Sequence, residues 1–294
     1  MLTQSGRFTA WLVILGVNFH NALAQTAPDA PPPDKSVYHL FNPVPREYLR
    51  EMNTDRPDQT ESPYTVDAGH FQVEMDFANG TMDHDRSGGR DARSQVWGFG
   101  GVNLKAGLLN QVDIQFVLDS SVHSRVEDRL ASTVSEASGF GDVQTRIKVN
   151  FWGNDGGRTA FGMMPFVKWP MAKSGVRNGK TEGGVIFPFA MDLGGGWDLG
   201  AMTEFDFVAN DAAGYDAEFV NSITVARDIT GKLGAYVEFF TVTGSAPGFH
   251  WQGQADVGFT YALRNNVQLD VGCNFGVTKS APDFNPFTGL SIRF

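Results

Sequence analysis

Asp142-Val143-Gln144-Thr145-Arg146-Ile147-Lys148-Val149-Asn150-Phe151 sets Val143, Thr145, Ile147, Val149 and Phe151 on one side of the chain. Asp142, Gln144, Arg146, Lys148 and Asn150 fall on the other. Such alternation marks a β-strand with one apolar and one polar face. The pattern recurs in both directions. Phe71, Val73, Met75 and Phe77 oppose His70, Gln72, Glu74 and Asp76; Val102, Leu104, Ala106 and Leu108 oppose Asn103 and Lys105; Val112, Ile114, Phe116 and Leu118 oppose Asp113, Gln115 and Asp119. Further strands are expected near 159–170, 182–193, 197–208, 215–227, 232–242, 250–263, 266–278 and 284–294, about twelve in all, an even count as in bacterial outer-membrane barrels. The strand near 159–170 has the least defined register, because Phe161-Gly162-Met163-Met164-Pro165-Phe166-Val167 is apolar on both faces. Pro165 and Pro188 each also remove a ladder donor.

The two faces carry different chemistry. In these registers no charged residue falls on the apolar face of any strand interior. The opposite face carries Glu74, Asp76, Asp113, Asp142, Arg146, Lys148, Lys168, Asp198, Glu204, Glu218, Glu238, Asp256 and Asp270. A dry core could not take so many charges, whereas the wet lumen of a membrane barrel can. A cation facing lipid at the bilayer midplane costs roughly 2–4 kcal/mol, which enforces the exclusion on the other face. The fold expected is therefore all-β: a transmembrane antiparallel up-and-down barrel of outer-membrane type.

The connections support this reading. Short turns at 109–111, 152–158, 194–196, 228–231 and 263–266 alternate with longer links at 79–93, 120–138, 171–181, 208–214 and 243–249. Short periplasmic turns and longer external loops are the rule in such barrels, and an even strand count puts both termini on the periplasmic side. Arg7, the apolar run Ala10–Val17 and Ala22-Leu23-Ala24 make residues 1–24 a signal peptide cut after Ala24. Residues 25–68 are read as a Pro-rich linker followed by a periplasmic or lumen-plugging segment, in which 45–52 could form two helical turns. Residues 69–294 are the barrel. Its last strand, Gly289-Leu290-Ser291-Ile292-Arg293-Phe294, is expected to close it against Phe71–Phe77, with Phe294 as the signal read by the barrel-insertion machinery. Localisation follows as the outer membrane of a Gram-negative bacterium, with its lipid as a partner.

Composition narrows the rest. The 34 glycines and 12% aromatic content suit strands with aromatic girdles. One cysteine, Cys273, excludes an intramolecular disulfide framework. A net charge of -10 argues against a nucleic-acid partner.

Asn53-Thr54-Asp55-Arg56-Pro57-Asp58-Gln59-Thr60-Glu61-Ser62-Pro63-Tyr64, running on through Gly69-His70-Phe71-Gln72-Val73-Glu74, resembles the opening of a family of outer-membrane transporters named for the MetA pathway of phenol degradation. Gly139-Phe140-Gly141-Asp142 with Lys148, Pro165-Phe166-Val167-Lys168, Glu182-Gly183-Gly184 and Gly289-Leu290-Ser291 are similar to that family's recurring pieces. The resemblance spans roughly 53–294. It implies transport of small, often aromatic or hydrophobic, compounds across the outer membrane, and it assigns no binding residues.

Two readings of the lumen charges stay open. A one-signed acidic lining would favour cations or neutral solutes; alternatively the acids pair with Lys105, Arg146, Lys148, Lys168, Arg293 or the N-terminal segment and hold the barrel's shape. Asp55, Arg56, Asp58 and Glu61 are the candidate plug residues, polar enough for a wet lumen. Enzymatic readings find little support. His123 and Ser124 are adjacent in an expected loop, no His-x-Ser occurs, and His70 has no serine partner, whereas catalysis needs nucleophile and base within reach. Asp83-His84-Asp85 is read as a solvated loop rather than a metal site, Gly194-Gly195-Gly196 as a turn, and Cys273 as packing. No cofactor is called for. The function expected is passive or facilitated diffusion of small solutes through a channel; the alternative is a structural or adhesive barrel with a closed lumen.

Overall fold

The computed structural model describes residues 34–86, 89–172, 179–210 and 214–294. The expected signal peptide and most of the Pro-rich stretch lie outside the described residues. Before the first strand, the expected two helical turns over 45–52 reduce to a single 3-10 turn, Arg46–Tyr48.

The strands in chain order are β1 (Phe71–Asp85), β2 (Ala92–Phe99), β3 (Val102–Leu109), β4 (Val112–Leu118), β5 (Ser121–Asp128), β6 (Thr133–Gly139), β7 (Val143–Trp152), β8 (Thr159–Trp169), β9 (Glu182–Gly194), β10 (Trp197–Ala209), β11 (Tyr215–Thr230), β12 (Leu233–Gly244), β13 (Gln252–Arg264), β14 (Val267–Gly276) and β15 (Phe284–Arg293). From β7 to β15 each strand pairs antiparallel with the next. β7 pairs with β4, β4 with β3, β3 with β1, and β1 with β15, which closes a twelve-strand barrel. The seam runs where the last strand was expected to pair, with Gln72 opposite Arg293, Glu74 opposite Ser291 and Asp76 opposite Gly289. His70 clamps its end: Nδ1 is 2.9 Å from the Phe294 carbonyl and Nε2 is 2.8 Å from that of Val44.

The remaining strands correct the expected loops. β1 runs on to Asp85, β2 starts at the end of the link expected at 79–93 and runs beyond it to Phe99, and β5 and β6 occupy the link expected at 120–138. They extend the sheet in the order β1, β2, β5, β6 beyond the far end of the barrel. His123 and Ser124 are thus strand residues of β5. The barrel strands break beside one another at Gly100-Gly101, at 119–120 and at 140–142. Gly100 takes φ +64, a left-handed conformation that glycine adopts without strain. Asp76 N–H bonds Gly101 O at 2.8 Å and Gly141 N–H bonds Asp119 O at 2.9 Å, which stitches the corners together. These extensions escaped the sequence pattern because both of their faces are solvated, so no apolar side marks them.

The outward face is the apolar one. Exposed aromatics ring both ends: Phe99, Trp169, Phe207, Tyr215 and Trp251 at the far end, and Phe71, Trp152, Trp197, Tyr261 and Phe294 at the end where the chain terminates. Arg227 lies on this face at the terminal rim, its guanidinium 4.7 Å from the Trp197 ring centroid. A long cationic side chain can reach headgroups from there. In β8 the ladder is interrupted around Pro165: pairing with β7 skips from Arg146–Phe166 to Val149–Met163.

Candidate functional site: the occupied lumen

Residues 50–68 pass through the barrel interior without forming a strand or helix. An irregular segment carries backbone N–H groups that no ladder satisfies, and each must find an acceptor. The barrel wall supplies carboxylates. Asp55 N–H bonds Glu74 at 3.1 Å. Gln59 and Thr60 N–H bond the two oxygens of Glu238 at 2.9 and 2.8 Å. Val66 N–H bonds Asp113 at 3.0 Å. Hydrogen bonds to a charged acceptor contribute about 1.5–3 kcal/mol each, so the segment is pinned along its length by acids from β1, β4 and β12.

Side chains complete the attachment. Asp55 lies between Lys105, at 2.5 Å, and Lys148. Glu74 also contacts Lys105. Arg56 reaches Asp270 on β14, at 2.7 Å through Nη2, and Asp76 on β1. Glu61 pairs with Arg146 at 2.5 Å. Gln59 Nε2 donates to Gln254 and Asp256 on β13 at 2.9 and 2.8 Å. Nearer the terminal end, buried Asp67 collects Lys35, Arg50 and Arg293 at 3.5, 3.1 and 3.5 Å. The wall yields space where the segment comes closest. A Cβ on Gly107 would lie 2.1 Å from Asp67 O, and one on Gly289 2.4 Å from Arg56 Nη2.

The candidate residues therefore divide. Glu74, Asp76, Asp113, Arg146, Lys148, Glu238, Asp256 and Asp270 meet the N-terminal segment, through Asp55, Arg56, Gln59, Thr60, Glu61 and Val66. Asp58 lines a cavity with Thr60 and Thr224, and burial, reinforced by Glu238, pushes its carboxyl well above the usual carboxylate range. Burial opposes ionisation of Asp55, but Lys105 and Lys148 outweigh it and hold that carboxyl below the usual range. Lys168 pairs with Glu182, and Asp142 accepts from Ala172 N–H at 2.9 Å. None of the ion pairs among the described residues includes Glu204, Asp206 or Glu218, which stay together toward the far end. Asp198 lines a cavity of about 610 Å³ between the segment and the β9–β11 wall at the terminal end, with Asp58, Thr60, Gly200, Thr224 and Asp228.

Three features went unseen in the sequence. One is an apolar patch inside the lumen: Met164, Ile186, Met202 and Val220 are buried together, with Phe166, Phe240 and Val242 against them. Met202 shares a strand face with Asp198 and Glu204, and its Sδ is 3.3 Å from Glu61 N. The double-sided apolarity of Phe161–Val167 was its only signal. The second is Gln59, whose amide and side chain bind opposite the acids, and a lone glutamine carries no signal. The third is Ser121, whose Oγ lies 3.1 Å from His123 Nε2, although no carboxylate hydrogen-bonds that imidazole among the described residues. Asp83 and His84 belong to β1, where His84 Nε2 pairs with Asp91 at 2.7 Å. No metal-holding group of His, Cys, Asp and Glu occurs among the described residues.

The barrel is similar to solved outer-membrane structures. An outer membrane channel from Pseudomonas putida F1 matches with TM-score 0.61 and 12% identity, covering 82% of this chain and all of that one. The NanC porin matches with TM-score 0.47 and 9% identity over 74% of this chain and 98% of that one. No curated protein matches. The sequence from residue 54 to residue 294 matches the model described as "Putative MetA-pathway of phenol degradation", and the chain belongs to that family.

Proposed function

We propose that this protein is an outer-membrane channel through which small solutes with an apolar body diffuse along the β8–β12 side of the lumen, with the N-terminal segment as its gate. The observation that carries this reading is the inward apolar patch of Met164, Ile186, Met202 and Val220. Most of the remaining wall is polar and engaged with the segment. A passage for fully hydrated ions would gain nothing from buried apolar side chains, whereas ligand sites combine an apolar lining with a few polar groups. The cavity of about 610 Å³ lies along the same wall at the terminal end, taken as the periplasmic one. Glu204, Asp206 and Glu218 stand at the other approach and would enrich cations there. The carboxylates deeper in the wall face the segment instead, which supports the structural reading for most of the acidic lining.

Solute flux into protein-loaded vesicles tests the proposal. Small aromatic solutes should permeate faster than sugars of equal size. Met202→Asp should slow the aromatic solute by roughly tenfold, equivalent to about 1.4 kcal/mol of added barrier, and leave the sugar unchanged. Equal slowing of both solutes would remove the apolar path. Absence of flux for every solute, with and without the N-terminal segment, would favour a closed structural barrel.

A further inference from the structure

Glu238 on β12 and Asp256 on β13 are register partners, so their side chains leave the sheet side by side on the lumen face. Both are buried, at 5% and 2% exposure. Gln59 spans the two, its backbone N–H bonding Glu238 and its side-chain amide bonding Asp256. An ionised carboxylate only accepts, so neither can satisfy the other while both are charged. Asp58 of the N-terminal segment comes just before Gln59 and is carried to the same place. Like charges this close cannot all ionise.

Among the described residues no base pairs with the group. Around it stand Ser222 and Thr224 on β11, Tyr236 on β12, Gln254 on β13, and Asp270 on β14. Asp270 is held by Arg56 at 2.7 Å. Glu61 of the segment has Arg146 at 2.5 Å. Tyr236 directs its hydroxyl to Pro57 O at 3.5 Å. Asp58, Glu238 and Asp256 take part in none of the ion pairs among the described residues, and buried Asp256 Oδ1 has no donor. This is also where the segment is seated, since Gln59 and Thr60 N–H bind Glu238 and Gln59 Nε2 binds Asp256.

We propose that Asp58, seated against Glu238 and Asp256, is a proton-operated latch: the seated segment holds a proton that the unseated one releases, so a rise in pH frees it. The proposal rests on the reading of this segment as the gate. A carboxyl whose pKa is raised in the seated state binds more protons there than in water. Seating is then undiminished below about pH 4, the ordinary range of a carboxyl. It weakens as pH rises from there toward the raised value. Each proton released changes the equilibrium by about tenfold per pH unit. The proton passes to bulk water.

Hydrogen exchange across residues 50–66 of the full chain in vesicles tests the latch, from pH 5 to 9, with rates corrected for intrinsic base catalysis. Protection of the Gln59 and Thr60 amides should fall with pH in the native protein. It should stay level in a chain carrying Asp58→Asn and Asp256→Asn, whose folding is checked by heat-modifiable electrophoretic mobility. Level protection in the native protein would overturn the latch without any variant, and an unchanged slope in the double variant would overturn the assignment to these carboxyls. Exchange reports the seat and flux reports the gate. Protection that falls with pH while flux stays constant would therefore sustain the latch and refute gating.

Discussion

Asp55 shows how one side chain can hold an irregular segment inside a barrel. Its carboxylate is 6% exposed between Lys105 and Lys148, themselves 3% and 1% exposed. Removing one partner from a buried ion pair leaves the other charge uncompensated, at a cost of about 3–5 kcal/mol. Asp55→Ala should lower unfolding stability by that amount, measured as a shift of the urea midpoint in lipid vesicles. The pH dependence has the opposite sign to that of Asp58. A carboxyl held below its ordinary range contributes in full above about pH 4 and loses that contribution only as pH falls through the depressed value. The deficit of Asp55→Ala should accordingly be the same at pH 5 and pH 8. Alternation in the sequence was enough to put Glu74, Lys105 and Lys148 on the inward face. It could not name their partner, because Asp55 lies in a stretch without period and meets Lys148 across 93 residues of chain.

Among the elements, the N-terminal segment and the far-end sheet were legible to different degrees. The density of Asp55, Arg56, Asp58 and Glu61 marked the segment as suited to a wet lumen, yet nothing local showed that its backbone amides, rather than its charges, would meet Glu74, Glu238 and Asp113. Strands β2, β5 and β6 stayed hidden because a sheet wetted on both faces has no apolar side to alternate. Removing residues 35–63 should raise single-channel conductance several-fold, since the largest body in the lumen leaves with them. It should also lower barrel stability, because Lys105, Lys148 and Arg146 lose carboxylate partners. Planar-bilayer recording reads the first effect. Conductance equal to that of the native protein would mean that the segment does not obstruct the path.

For the molecule as a whole, the decisive property is that its apolar and polar sides are inverted relative to a soluble domain. Val237, Val257 and Val271 are 61%, 41% and 52% exposed, on a surface whose inward neighbours Glu238, Asp256 and Asp270 are buried. In water such a surface would aggregate; in lipid it is the matched one. Period two alone revealed this inversion, because the barrel strands other than the doubly apolar β8 repeat it and a charge on the wrong side is penalised by depth. The same argument yields a graded prediction. Val257 lies midway along β13, while Leu263 lies near its terminal end beside the Trp197 and Tyr261 rim. Val257→Arg should destabilise the folded barrel by about 2–4 kcal/mol and Leu263→Arg by about 0–1 kcal/mol, read from urea unfolding in vesicles. Snorkelling to headgroups spares the second side chain but not the first. Equal costs at the two depths would mean that this face does not cross a hydrocarbon layer, and the barrel would then have to bury its aromatic rims against protein instead.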